Sequence, residues 1–308
     1  MTSPDAEPTG ARPFDAYPGL YVAADTAAVS LRGQHFLGEA ILLVLNPLSA
    51  TLVLLVALGV VRLQGAVLTA CSTTLLVLVL WVVRASRWQS QWYECRGAAE
   101  DMKRITWRYL VQLDPFPPGV PAPDAVFVRA LDEAVRDHPE ILRTLGRRAH
   151  VLTPPVTREM QRIRGSSAEE RAEVYLSSRV RPEAAWYAAK AERFAAADRR
   201  LFAGLILVQV AAVISAIVLA VRVQGGGAGS AAADSWVPML TALGTALMGW
   251  QRSKRYADLS TSYSATAQKL AGLESIRPPP GEWSAYLPWV ERVEATLAQE
   301  HEAWRHMK

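Results

Sequence analysis

Apolar residues concentrate in two blocks of the sequence, at about residues 37–83 and 201–250. Each block holds two apolar stretches separated by a short polar or glycine-rich break: Ile41 to Val61, Ala66 to Val83, Leu201 to Val221 and Trp236 to Trp250. A helix rises about 1.5 Å per residue, so roughly 20 residues cover the ~30 Å hydrocarbon core of a bilayer. The pattern predicts two transmembrane helical hairpins with four spans, the last of which is short and weakly apolar.

Helical periodicity continues beyond each hairpin. After the second stretch, apolar or small residues recur at steps of three and four as far as Tyr109, and no proline interrupts them before Pro115. The same spacing follows the fourth stretch as far as Leu273. The sequence therefore predicts one unbroken helix over about 66–113 and a matching helix in the second half. The predicted fold class is an all-α membrane protein with long cytoplasmic helical stalks, arranged as a tandem repeat.

Proline and glycine positions divide the chain into four segments. Residues 1–36 form an N-terminal cytoplasmic segment without the basic start of a signal peptide. Residues 37–113 form the first hairpin with its stalk, 114–165 a proline-rich linker with short helices at 124–137 and 140–149, and 166–308 the second hairpin with flanking cytoplasmic helices. Within the last segment, a long amphipathic helix begins near Ala168, with Pro182 as a position where it could split, and a final helix covers 287–304.

The basic residues predict which side of the membrane each segment faces. The chain has 33 Lys+Arg against 29 Asp+Glu, and the excess is dispersed, which argues against nucleic acid as a partner. Residues 84–200 and 252–308 carry nearly all of the basic residues outside the hairpins, whereas each hairpin turn has a single arginine, Arg62 or Arg222. The positive-inside rule places both termini and the middle segment in the cytoplasm.

Residues that would support catalysis or metal binding are not arranged for it. The five histidines are scattered, and Cys71 and Cys95 have no metal-ligand spacing. The glycine-rich run at 225–229 lacks the lysine of a phosphate-binding loop and is interpreted as a hairpin turn. The sequence therefore predicts neither an enzyme nor a cofactor.

Small and weakly polar residues recur along the third and fourth spans. They are Gly204, Gln209, Ala212, Ala216, Thr241, Thr245 and Gly249. Such residues allow close helix packing in lipid, and the polar members could instead line an aqueous path, so both interpretations stay open. A further alternative is that the apolar stretches form the core of a soluble helical bundle.

Aromatic and charged residues follow a recurring order around both hairpins. In the first half they are Trp92, Arg96, Glu100, Lys103, Trp107 and Tyr109. In the second half they are Tyr175, Arg179, Trp186, Tyr187, Tyr263, Thr266, Glu294, His301 and Trp304. This order resembles the SLATT family, bacterial proteins with a two-helix membrane hairpin followed by a cytoplasmic helix, over about residues 20–308.

The resemblance implies an oligomeric, pore-forming membrane effector in the bacterial cytoplasmic membrane, acting in nucleotide-signalled conflict or immunity. Its implied partners are the lipid bilayer, further copies of the chain, and a signalling protein or nucleotide second messenger. The alternative is a membrane-anchored scaffold or sensor that presents cytoplasmic helices to a protein partner without a pore. An integral-membrane enzyme or transporter is a third interpretation, disfavoured because no charged residue lies deep in a span.

Overall fold

The computed structural model describes residues 14–57, 59, 63–146, 154–225, 236–279 and 282–306, and this part of the chain contains helices and no strands. The helices are α1 Gly19–Ala57, α2 Leu63–Ala85, α3 Trp88–Leu110, α4 Pro123–Arg136, α5 Pro139–Leu145, α6 Arg158–Arg164, α7 Ala168–Tyr175, α8 Arg181–Gln224, α9 Val237–Lys254, α10 Tyr256–Ser275 and α11 Trp283–His306. The predicted all-α fold is confirmed for these residues.

The helices group into two compact units. The hairpin unit consists of Arg32–Trp88 and Glu192–Ser260. The aromatic unit consists of the described residues up to Leu31, Gln89–Ala191, and the described residues from Thr261 onward. Each unit takes helices from both halves of the sequence, so the tandem repeat does not correspond to two separate bodies.

Three stretches of helix are long and apolar enough to cross a membrane: Gly19–Val56, Gln64–Leu110 and Ala168–Gln224. At most 6% of the residues in the apolar window of each stretch are buried. Soluble proteins rarely leave such large apolar surfaces uncovered, so this exposure argues against a soluble bundle and for a membrane protein. Helix α9 has 18 residues and is not one of these three stretches.

Helices α1 and α2 of the hairpin unit approach each other closely. A Cβ atom at Gly38 would lie only 2.6 Å from Cγ2 of Val83, so a larger residue would push the two helices apart. Further along the same pair, the Ser49 hydroxyl lies 3.3 Å from the hydroxyls of both Ser72 and Thr73. These hydrogen bonds satisfy polar groups within an otherwise apolar hairpin.

The structure divides the predicted unbroken helix over about 66–113 into α2 and α3, so that prediction is wrong. Arg87 lies between them with a φ of 53°, and Arg255 lies between α9 and α10 with a φ of 48°. Left-handed backbone costs a non-glycine residue roughly 1–2 kcal/mol, and a single such residue ends an α-helix. The helix that follows each hairpin is thus interrupted by an arginine at the corresponding place in both repeats.

The amphipathic helix that leads into the third span runs without a break at Pro182. A π-helical turn, Leu176–Val180, joins α7 to α8. Proline has no N–H to donate to the preceding turn, and a π turn is one way of accommodating that loss inside a continuous helix. Helix α1 begins at Gly19, well before Ile41, where the first predicted span starts.

Large aromatic side chains form the core of the aromatic unit. Trp107 packs against Tyr175 with ring centroids 5.7 Å apart, and Tyr175 packs against Trp289 at 6.0 Å. The other large aromatics buried in the described part of this unit are Phe14, Tyr17, Tyr21, Tyr109, Phe116, Phe127, Tyr187 and Tyr286. Edge-on contacts of this kind join α3 from the first half of the sequence to α7 and α11 from the second half.

Candidate functional site

Arg179 and Glu294 form a buried ion pair within the aromatic unit. The guanidinium donates from Nε at 3.1 Å and from Nη2 at 3.0 Å to the two carboxylate oxygens. The two side chains are only 3% and 2% exposed. The Tyr175 hydroxyl donates to the same carboxylate at 2.9 Å. Arg179 lies in the π turn, so the irregular helix places this guanidinium within reach of α11.

The network extends from Arg179 to the first half of the sequence. Its Nη1 donates to Glu183 at 3.1 Å, and the ammonium of Lys103 on α3 contacts the same carboxylate oxygen. Arg96, also on α3, is paired with Glu100 at 2.5 Å and with Asp25 on α1 at 3.2 Å. Predicted positions from both repeats therefore lie in neighbouring ion pairs.

The four most buried charges of this network sum to zero. Two cations, Lys103 and Arg179, face two carboxylates, Glu183 and Glu294. Removing a charge from water is costly unless it is paired and hydrogen-bonded, and here each of the four has a charged partner. The arrangement fixes the register of α3, α8 and α11 more than it adds net stability, because a well-packed apolar replacement would avoid the desolvation cost.

The first-half aromatic positions are fixed by hydrogen bonds. The indole N–H of Trp107 donates to the Tyr17 hydroxyl at 2.9 Å, and the Tyr109 hydroxyl donates to Asp124 at 2.6 Å. Trp92 stacks on the adjacent Tyr93 with ring centroids 4.8 Å apart. Hydrogen bonds thus anchor Trp107 and Tyr109, and ring stacking anchors Trp92.

The second-half aromatic positions form a separate cluster. The rings of Trp186 and Tyr187 lie 5.6 and 5.3 Å from the ring of Tyr263. The Thr266 side chain is buried on the same helix and donates to the carbonyl of Ser262 at 3.1 Å. Helix α11 includes the backbone of His301 and Trp304, whose side chains lie outside the described part of the structure.

The predicted packing positions of the third and fourth spans lie on different faces. Ala212 is buried and Gly204 is partly covered, whereas Gln209, Ala216, Thr241, Thr245 and Gly249 are exposed. The Gln209 amide nonetheless lies over Gly244, where a Cβ atom would meet Nε2 at 3.4 Å. The hydroxyls of Thr241 and Thr245 donate to carbonyls one turn back in their own helix, at 2.8 and 2.9 Å.

Sequence reasoning missed a histidine clamp in the aromatic unit. His138 lies between two carboxylates of α3, with Nε2 at 3.0 Å from Asp101 and Nδ1 at 3.1 Å from Glu94. The hydrogen bond with Asp101 raises the pKa of His138 above its usual value; burial opposes this shift and Glu94 adds to it. Gly97 makes room for the imidazole, because a Cβ atom there would lie 2.8 Å from Cε1.

Other residues of the site were also missed. Glu183 could have been found, because it follows Arg179 by four residues on a helix and such pairs face each other. Asp25 and Tyr17 carry no comparable signal, since their partners lie 71 and 90 residues away. Among the described residues, no group of three or more His, Cys, Asp or Glu side chains is placed to hold a metal ion.

Two family models match the chain in succession. The model of SMODS and SLOG-associating 2TM effector domain 3 matches residues 18–172, and that of SMODS and SLOG-associating 2TM effector domain 1 matches residues 175–304. The chain belongs to the SLATT family. It is a tandem SLATT protein, as the order of its motif residues predicts. Neither a curated protein nor a solved structure matches it.

The boundary between the two SLATT domains falls at the end of α7, beside Tyr175. The buried network therefore joins the two domains, because Lys103 belongs to the first match and Arg179 and Glu294 to the second. Some of the residues that carry the family resemblance make contacts between the two domains, namely Lys103 with Glu183 and Trp107 with Tyr175. Others, such as Arg96, Tyr109 and Glu294, are paired within one domain.

Proposed function

We propose that this tandem SLATT protein is an oligomeric effector that permeabilises the bacterial cytoplasmic membrane when a conflict signal reaches it. The observation that carries the proposal is the exposure of the apolar windows, of which at most 6% of residues are buried. Lipid or further copies of the chain must cover this surface. The family description, a two-transmembrane effector, supports a role in which the membrane is the target.

We place four spans in the membrane, with α9 as the fourth. Its 18 residues cover about 27 Å, close to the thickness of the hydrocarbon core, and Arg252 and Lys254 in its last turn suit the headgroup region. Both termini then face the cytoplasm, because the hairpin turns carry one arginine each and the other segments carry most of the basic residues.

The exposed small residues of α9 are the proposed contact between copies. Thr241, Thr245 and Gly249 leave room for the close approach of another helix, and a Cβ atom at Gly249 would meet nothing within 4 Å. Both threonine hydroxyls already have acceptors within α9, so this face can pack without leaving polar groups unsatisfied.

We assign signal reception to the aromatic unit and no catalytic step to the chain. A signalling partner or a nucleotide second messenger would act on this unit and shift the packing of the helices that continue into the spans. Helix α8 is one such helix, because Glu183 lies in its first turn and the third span follows from Leu201.

The test is membrane potential and dye entry in bacteria after induction of the full-length protein. We expect depolarisation that is lost in a variant lacking Trp236 to Trp250, and strongly reduced in Gly249→Leu, which fills the proposed contact. Met248→Leu is the matched control, since it conserves volume on the same turn. Depolarisation that persists in Gly249→Leu would refute the placement of the contact.

A membrane-anchored scaffold without a pore is the second candidate. One observation favours it: the Thr241 and Thr245 hydroxyls are bonded to their own helix and offer little to line an aqueous path. A scaffold should insert fully and leave the potential unchanged, even when the neighbouring genes are co-expressed to supply the signal. Depolarisation under those conditions would exclude it.

A further inference from the structure

A basic cavity opens on the aromatic unit next to the buried network. Its volume is about 900 Å³, within the range of roughly 300–1,000 Å³ that small-molecule sites occupy. Helices α3, α10 and α11 contribute its walls, and all lining residues belong to the aromatic unit. Glu294, the carboxylate bound by Arg179, lies in the cavity wall.

Four cations line this cavity: Arg104, Arg108, Lys269 and Arg292. Arg104 is paired with Asp101 at 3.2 Å. Within the described part of the chain, no carboxylate forms an ion pair with the other three cations. The carboxylates that face the cavity are Glu291 and Glu294, and the second is already neutralised by Arg179. The cavity therefore has an excess of positive charge, which favours an anion.

Apolar residues also line the cavity. They are Leu273, Ala295, Ala298 and Ile276, and Ile276 is 59% exposed although it is large and hydrophobic. A ligand that carries only charge would leave these residues uncovered. An apolar or aromatic group beside a negative charge would cover both parts of the wall.

Gly272 lies in the last turn of α10 and lines the cavity. A Cβ atom there would meet nothing within 4 Å, so packing within the chain does not require a glycine at this position. A larger residue at 272 is therefore a way to fill part of the cavity.

We infer that this cavity binds a phosphorylated small molecule of nucleotide size, with its phosphoryl group toward Arg108, Lys269 and Arg292 and its apolar part against Leu273 and Ile276. Arginine and lysine are the side chains that proteins most use for phosphate, and arginine can bond it through two N–H groups. The inference rests on the assignment of signal reception to the aromatic unit and names the site at which a phosphorylated signal would bind. Binding is measured without a membrane readout, so its failure can be distinguished from a failure to permeabilise membranes.

The experiment is calorimetric titration of the purified full-length protein with adenosine monophosphate, with dihexanoyl phosphatidylglycerol below its micelle concentration, and with adenosine. We expect saturable binding of a phosphorylated probe and none of adenosine. Arg292→Gln should weaken binding about tenfold, the loss of one charge-assisted contact. Arg129→Gln, which removes an exposed arginine on α4 outside the cavity, is the matched control and should not change it.

Gly272→Leu separates binding from folding. This variant should abolish binding while keeping the thermal unfolding temperature at or above that of the original protein, because α10 gains helix propensity and the new Cβ atom meets nothing within 4 Å. Binding of the nucleotide or of the short lipid identifies the source of the phosphate. No saturable binding of either phosphorylated probe, or binding unchanged in Arg292→Gln and Gly272→Leu, would overturn the inference.

Discussion

Replacement of one member of the buried ion pair should destabilise the aromatic unit strongly. Glu294→Gln keeps the size of the side chain and an acceptor for the Tyr175 hydroxyl, but it leaves the network with one excess positive charge at Arg179. Breaking a buried pair in this way costs about 3–5 kcal/mol. That is a large part of the 5–15 kcal/mol by which folded proteins are typically stable.

The size of the effect can be measured on the full-length protein in detergent. A unit of this size loses roughly 2–4 °C of unfolding temperature per kcal/mol, so we expect Glu294→Gln to lower it by roughly 6–20 °C. Tryptophan fluorescence reports the transition, since Trp107 and Trp289 are fully buried in this unit. Glu159→Gln is the matched control: its pair with Arg162 is just as short, at 2.8 Å, but exposed, and should contribute less than about 1 kcal/mol.

A double-mutant cycle distinguishes the loss of the ion pair from the loss of packing by each side chain. Arg179→Met should also destabilise the protein, whereas the double variant with Glu294→Gln leaves only the neutral pair of Lys103 and Glu183. The double variant should therefore lose less than the sum of the singles, with a coupling energy of about 2 kcal/mol or more. The reasoning would be refuted if the losses in the free energy of unfolding were strictly additive, or if each single variant lost as little as Glu159→Gln.

Three further predictions concern the histidine clamp and the helix breaks. Because the folded protein raises the pKa of His138, the clamp stabilises the protein fully below the unfolded-state pKa of about 6.5 and loses that contribution as the pH rises through the folded-state pKa. Thermal unfolding should therefore show higher stability at pH 6 than at pH 8.5, and His138→Gln should remove most of that difference. Gly97→Ala should displace the imidazole and lower stability by roughly 1–3 kcal/mol at pH 6, measured by the same unfolding transition. Arg255→Gly should be more stable than Arg255→Ala by about 1 kcal/mol. Both variants lose the ion pair with Asp258, but only alanine is strained in the left-handed backbone conformation of this position. The opposite order of stability would indicate a continuous helix.

Features set by local periodicity could be predicted from the sequence. Helices predicted at 124–137 and 287–304 correspond to α4 and α11, and α5 covers 140–145 of the helix predicted at 140–149, of which 147–149 lie outside the described residues. The apolar stretches are largely helical where the structure describes them. Such patterns depend on residues three and four apart, which interact within one helix whatever the rest of the chain does. The left-handed break at Arg87 has no such signal, because arginine is an ordinary helix former and the sequence shows no glycine or proline there.

The faces of the membrane helices could not be predicted from the spacing of small residues. Positions four apart advance by 400°, so a row of every fourth residue turns by about 160° around the helix over 16 residues. The structure shows this drift, since Gly204 and Ala212 are partly or fully covered whereas Ala216 is exposed. In a helix of a soluble protein, polar residues mark the face that is exposed to water. In these spans nearly every side chain is apolar, so the sequence does not show which face is covered.

The buried network also explains why family resemblance could identify important residues without showing what they do. Arg179 and Glu294 are 115 residues apart, and Lys103 and Glu183 are 80 apart, so no local pattern pairs them. Their roles follow only when α3, α8 and α11 are brought together. Separating the two SLATT domains would remove Glu183 from the buried ammonium of Lys103 and would leave one excess negative charge among Arg179, Glu183 and Glu294 in the second domain. We therefore expect the first SLATT domain to be less stable without the second, because a buried charge would lose its partner.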